Sequence, residues 1–189
     1  MRNSYWLLVI GFWLSEIGCK KSSGNELRTH DYFDLQSFFT QQIHTLDSLK
    51  PTVNKTVFLN EKKEEKKLKE INWKEELSVF LESDINKPAW KDKYTVDTSL
   101  KDDPNIYFYI IRFTAKDKNL KTQKITLNII KDIEQIQSVY VKNVTENFLY
   151  SSVSNLMFLP EKEYSISTVQ KIRFVSQDKF EVKGKFSND

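Results

Sequence analysis

The residues able to do acid–base, nucleophilic or metal chemistry at neutral pH are few. The chain of 189 residues has one cysteine, Cys19, and two histidines, His30 and His44. A lone thiol makes no intrachain disulfide and no zinc–thiolate cluster. His30 and His44 are 14 residues apart, a spacing that separates them by about 21 Å along a helix, so they share no metal ion. His44 stands among Gln41, Gln42 and Asp47 and reads as a solvated side chain. Four glycines, two of them at positions 11 and 18, build no phosphate-binding loop. No nucleophile-elbow, zinc-protease, dithiol or EF-hand pattern occurs. A carboxylate pair of the glycosidase kind is chemically open, but 26 acidic residues single out none. These counts point away from an enzyme, a metal or a cofactor, and no catalytic residue is assigned.

Binding chemistry is almost as sparse. Against 26 acids stand 29 Lys and Arg, a net charge of +3, too mild to argue for nucleic acid. Lys116, Lys118, Lys121 and Lys124 cluster without an interleaved aromatic platform and read as a charged hairpin tip. Trp90 follows Pro88 in the loop from Asn86. It either stacks on a ligand or plugs the end of the core. The plug is preferred, because no convergent polar groups surround it in sequence.

The elements that must position these groups begin with an apolar run, Tyr5 to Leu14, behind the positive charge of Arg2. It is too short to span a bilayer and has the length of a signal-peptide apolar region. It has no polar face, unlike a helix of a soluble domain. Followed by Ile17-Gly18-Cys19, the segment resembles a bacterial lipoprotein signal peptide ending in a lipobox. The resemblance covers only residues 1–19. It implies cleavage before Cys19, lipid on the Cys19 sulfur and on its new amino group, and attachment of the chain to a membrane. Lys20 after the cysteine implies the outer membrane of the bacterial cell envelope. The other reading of the same run is an ordinary secretory signal with an incidental cysteine. The expected organisation is a signal peptide over 1–18, a polar tether over 19–28 and a single domain over 29–189.

Within that domain, Tyr32, Leu35, Phe39, Ile43, Leu46 and Leu49 recur three or four residues apart, which predicts a helix over 31–50. Thr29 or Asp31 would cap it, and Pro51 would stop it. Residues 53–59 read as a short strand and 61–70, EKKEEKKLKE, as the second arm of an exposed hairpin or a charged lead-in to the next helix, the hairpin being preferred. Asn72 and Glu75 have the form of a capping pair ahead of Trp73, Leu77, Phe80, Leu81 and Ile85, which predicts a second helix ending before Pro88. That helix would press on the sheet through Phe108 and Ile110. From Tyr94 onward the period drops to two. Strands are expected over 106–114, 125–129, 133–141, 148–159, 164–174 and 180–186, joined by short polar turns into an antiparallel meander.

The expected fold class is therefore α+β: two N-terminal amphipathic helices packed on a curved antiparallel meander sheet, half-barrel or barrel-like. The expected function is a non-catalytic envelope lipoprotein that binds an apolar ligand or lipid in the curved sheet. The alternative is an interaction or structural lipoprotein that docks an envelope protein partner.

Overall fold

A computed structural model describes residues 31–102, 107–175 and 177–187. The expected signal peptide, the tether, Cys19, His30 and the Thr29 cap lie outside the described residues.

The chain forms a mostly-sheet fold. A helix α1 (Leu35–Leu49) leads to a hairpin of β1 (Thr52–Leu59) and β2 (Lys62–Leu68). Two helical turns, α2 (Trp73–Glu76) and α3 (Ser78–Leu81), and a 3-10 turn at Pro88–Trp90 follow. Seven strands complete the chain: β3 (Tyr94–Asp102), β4 (Tyr107–Ala115), β5 (Thr122–Ile130), β6 (Gln135–Glu146), β7 (Tyr150–Leu159), β8 (Glu163–Ile172) and β9 (Gln177–Ser187). All neighbours are antiparallel, in the order β2-β1-β9-β8-β7-β6-β5-β4-β3. The sheet does not close into a barrel: among the described residues β2 and β3 stand at its two ends with one strand neighbour each.

Alternation explains which face meets the helices. Val57, Val182, Ile166, Leu156, Val141, Ile125 and Phe113 form one cross-strand row through seven strands. The neighbouring row on the opposite face reads Thr56, Lys183, Ser165, Met157, Tyr140, Thr126 and Arg112. One row is apolar and the other largely polar, so the apolar face turns inward and the register is strongly specified. Phe39 at the centre of α1 stacks on Phe80 at 4.7 Å and meets Phe158 edge-on at 5.1 Å, which joins helix, helical turn and sheet in one core.

Four expectations need correction. The second N-terminal helix is two four-residue turns, broken at Leu77, whose φ of −100° and ψ of 10° leave the helical region. Such short turns lack helix cooperativity and depend on packing. The break lets Trp73 meet Tyr164 and Phe186 while Phe80 meets Phe39 and Phe158. These turns also follow β1 and β2, so the helical elements do not all precede the sheet. Second, the cap of α1 is Asp34, whose carboxylate accepts from the Ser37 amide at 2.8 Å and from its hydroxyl. Third, Leu49, the last residue of α1, is exposed and does not continue the buried stripe of Leu35, Phe39 and Leu46. Finally, Ile111 and Phe113, not Phe108 and Ile110, pack into the core. A two-faced apolar strand does not declare its inner face, and a single-residue slip exchanges the two.

Candidate functional site

Ionisable and polar side chains gather in two places within this frame. The first ties α2 to the sheet. The Tyr164 hydroxyl donates to Glu76 Oε1, and Lys55 on β1 places its ammonium 2.7 Å from both carboxylate oxygens of Glu76. Trp73 and Phe186 close around the phenol ring. Gly184, opposite Tyr164 on β9, makes room for it: any Cβ there would overlap the Tyr164 ring. Burial holds the Tyr164 phenol well above the ordinary phenol range, and the hydrogen bond and charge of Glu76 add to the shift. A phenol that keeps its proton, is 0% exposed and faces a paired carboxylate is a poor nucleophile or base. The cluster acts as a clasp between elements.

The second cluster lies under the end of α3. Asn143 Nδ2 donates to the Ser83 hydroxyl at 2.8 Å, which donates to the Val79 carbonyl at 2.7 Å. Thr122 donates to the Ser83 carbonyl, and the Tyr94 hydroxyl donates to the Thr122 carbonyl at 2.8 Å. Burial, with the neighbouring Tyr32 and Asp84, raises the Tyr94 pKa as well. Asn143 Oδ1 is buried without a hydrogen-bond partner. The network joins α3 to β3, β5 and β6, and none of its members has the acid–base pairing that a catalytic constellation requires.

The surface has a different character. A depression of about 780 Å³ runs along the outward polar side of α1 from Asp34 to Leu49. Among the described residues its lining comes from α1 and its cap Asp34 and includes His44, which is exposed as expected of a solvated histidine. It is a groove beside a helix, without groups converging from other elements. Large apolar side chains are instead exposed at two adjacent turns. Phe148 and Leu149 cap the β6–β7 turn, and Phe174 and Val175 cap the β8–β9 turn; they are 78, 58, 91 and 59% exposed. Arg173 joins the two turns: its amide donates to the Leu149 carbonyl at 2.8 Å, and its guanidinium lies 4.2 Å from the Phe148 ring centre.

Trp90, the weak binding candidate, is partly buried against the core, with its ring centre 6.2 Å from that of Tyr94 and the Lys87 ammonium 4.1 Å above it. It borders the second polar cluster through the Tyr94 ring. The lysines of the β4–β5 turn are divided: Lys121 pairs with Glu82, and Lys116 donates to the Asp92 carbonyl. Sequence reasoning missed the clasp and the network entirely, because Tyr164, Glu76 and Lys55 are far apart in the chain and each is an ordinary residue in its own segment. It also missed the exposed turns, which were read as strand ends. Phe148 and Phe174 beside polar turn residues were the available signal. Among the described residues no cluster of three or more His, Cys, Asp or Glu is placed to hold a metal, and no helix is long and apolar enough to cross a membrane. No protein-family model, curated protein or solved structure matches the chain.

Proposed function

We propose that the protein is a non-catalytic lipoprotein of the bacterial cell envelope, anchored by lipid on Cys19, that acts by docking an envelope partner at its surface. The observation that carries the docking half is the filled helix-facing side of the sheet. Phe39, Phe80 and Phe158 occupy the space that an enclosed apolar ligand would need. In this reading the sheet is a half-barrel plugged by its own helices, and recognition happens at the unpartnered edge of β3. Binding of an apolar ligand inside the half-barrel is the weaker reading, because α1 or the α2–α3 turns would have to leave first.

The anchor half rests on the apolar run at 5–14 and Gly18-Cys19. Its test is detergent partitioning of the full chain expressed in a bacterium, native against Cys19→Ser. The native protein should enter the detergent phase and carry acyl mass on Cys19, and the variant should lose both. Identical partitioning of the two into the aqueous phase would end the lipoprotein reading.

A further inference from the structure

The two apolar turns that Arg173 joins have no role in the fold. Phe148, Leu149, Phe174 and Val175 point away from the core, and Ile172 at the base of the second turn is 46% exposed. Isolated exposed apolar residues need no explanation, but a contiguous projecting cluster does. Phe174 adds a second oddity. Its φ is 68°, in the left-handed region where glycine or asparagine is usual and an aromatic residue is an outlier. Glycine would make the turn without strain. The chain instead holds a strained phenylalanine there at 91% exposure, with the ring outside the core.

The shape and chemistry of the cluster favour one kind of surface. It is a pair of knobs, not a groove or a flat face, so it suits a medium that closes around it. Its base carries a guanidinium near both rings, 4.2 Å from the Phe148 centre and 5.3 Å from the Phe174 centre. Aromatic side chains with basic groups at their base fit the headgroup boundary of an anionic bilayer. Charge at the two ends of the sheet is unequal. At this end Lys118, Lys171 and Lys179 add to Arg173, against Asp117, Glu146 and Asp178. At the opposite end the β5–β6 and β7–β8 turns and the strand ends beside them carry Asp132, Glu134, Glu161 and Glu163 against Lys131, Lys162 and Lys185.

The point at which the chain joins the fold agrees. The Tyr32 amide donates to Asn86, and the Tyr32 hydroxyl accepts from the amide of Tyr94, the first residue of β3. Tyr94 pairs with Ala115, the last residue of β4. In an antiparallel meander the end of β4, the β6–β7 turn and the β8–β9 turn share one end of the sheet. The N-terminal segment therefore joins the fold at the end that bears the apolar knobs. Cys19 precedes Asp31 by 12 residues, a reach of at most about 40 Å.

We propose that the Phe148–Leu149 and Phe174–Val175 turns insert into the interface of an anionic lipid bilayer and fix which end of the domain faces the membrane. The inference goes beyond the anchor reading and takes from it only the identity of the joining segment. It leaves the opposite, more acidic end and the β3 edge turned away from the lipid.

The test uses the full chain with Cys19→Ser and one new cysteine, Phe174→Cys or Ile133→Cys, labelled with a polarity-sensitive fluorophore. Ile133 is 62% exposed in the β5–β6 turn and serves as the opposite-end control. The N-terminal segment is common to both proteins. With vesicles of phosphatidylethanolamine and phosphatidylglycerol, the label at 174 should shift to the blue, brighten severalfold and be quenched by acyl-brominated lipid, while the label at 133 stays aqueous. In the same background without the new cysteines, Phe148→Ser with Phe174→Ser should weaken vesicle co-sedimentation about tenfold without lowering the melting temperature. An aqueous spectrum at 174 with every vesicle, as a protein-docking knob would give, overturns the proposal. So does an equal response at 133, or a label at 174 already shielded without lipid. Failure of the anchor reading would appear in the partitioning of the native chain, and failure of this one in the labels at 174 and 133.

Discussion

Tyr164 is the side chain on which most depends. It is fully buried, accommodated by a residue without a side chain at 184, and hydrogen-bonded to a carboxylate that is itself paired. Its ionisation is disfavoured first by burial and then by Glu76, and that of Tyr94 first by burial. In both cases the folded state holds its proton more tightly than the unfolded chain, whose tyrosines ionise near pH 10. Above about pH 10 the unfolded state therefore binds fewer protons, and stability falls as pH rises; below it these two groups contribute no pH dependence. Urea midpoints measured from pH 8 to pH 11.5 should be flat with respect to these groups and then drop. Tyr164→Phe should be less stable at pH 8 but show a shallower alkaline drop than the native chain. An equally steep drop in the variant would mean that Tyr164 does not contribute to it.

Among the elements, the α2–α3 segment carries the heaviest duty for its size. Trp73, Leu77, Phe80 and Ile85 are all at most 3% exposed, although neither helix exceeds four residues. The stability of this segment thus comes from what it packs against. Truncating Phe80 removes contacts with α1 and β7 together, and Phe80→Ala should cost about 3–5 kcal/mol, read as a lower denaturant midpoint at unchanged slope. Trp90 is the comparison. Packed against Tyr94 at the start of β3, it should cost less than Phe80 on truncation to Ala but still lower the midpoint measurably. A Trp90→Ala protein as stable as the native one would show that the ring contributes nothing to the core and would make the 86–90 loop a binding candidate again.

For the molecule as a whole, the joining of β1 to β9 is the decisive arrangement. Eight register pairs, from Thr52–Ser187 to Leu59–Phe180, bring the first strand against the last. Asn60, at φ 54°, adds side-chain bonds to Lys179 and Asp178 across this seam. Among the described residues the β1–β2 hairpin pairs with the rest of the sheet through the C-terminal strand, and the Lys55–Glu76–Tyr164 clasp adds a side-chain link to β8. The whole sheet should unfold in one cooperative transition, seen by coincident near- and far-ultraviolet dichroism on heating. Ending the chain before Gln177 should abolish that transition rather than lower it slightly, because it removes the seam, the Gly184 recess and the Val182 position of the apolar row at once. Two separated transitions in the full chain would argue against a single folding unit.

Sequence alone determined the features that depend on local period and composition. The apolar stripe of α1 is legible because Leu35, Phe39 and Leu46 recur at helical spacing, and the antiparallel meander because short polar turns leave successive strands no other neighbour. The scarcity of thiols and imidazoles, and the apolar run ahead of Cys19, are likewise properties of the sequence. Tertiary structure decided everything that depends on which distant residues meet. It selected Phe113 over Phe108 as the inward side chain, set β9 beside β1, and brought Lys55, Glu76, Tyr164 and Gly184 together from four segments. It also decided that Phe148 and Phe174 stand outside the core, although their composition alone would place them within it. The reason is that periodicity records the environment a segment needs, whereas pairing across the chain is set by global packing, where many registers satisfy the same local pattern and only one fills the core.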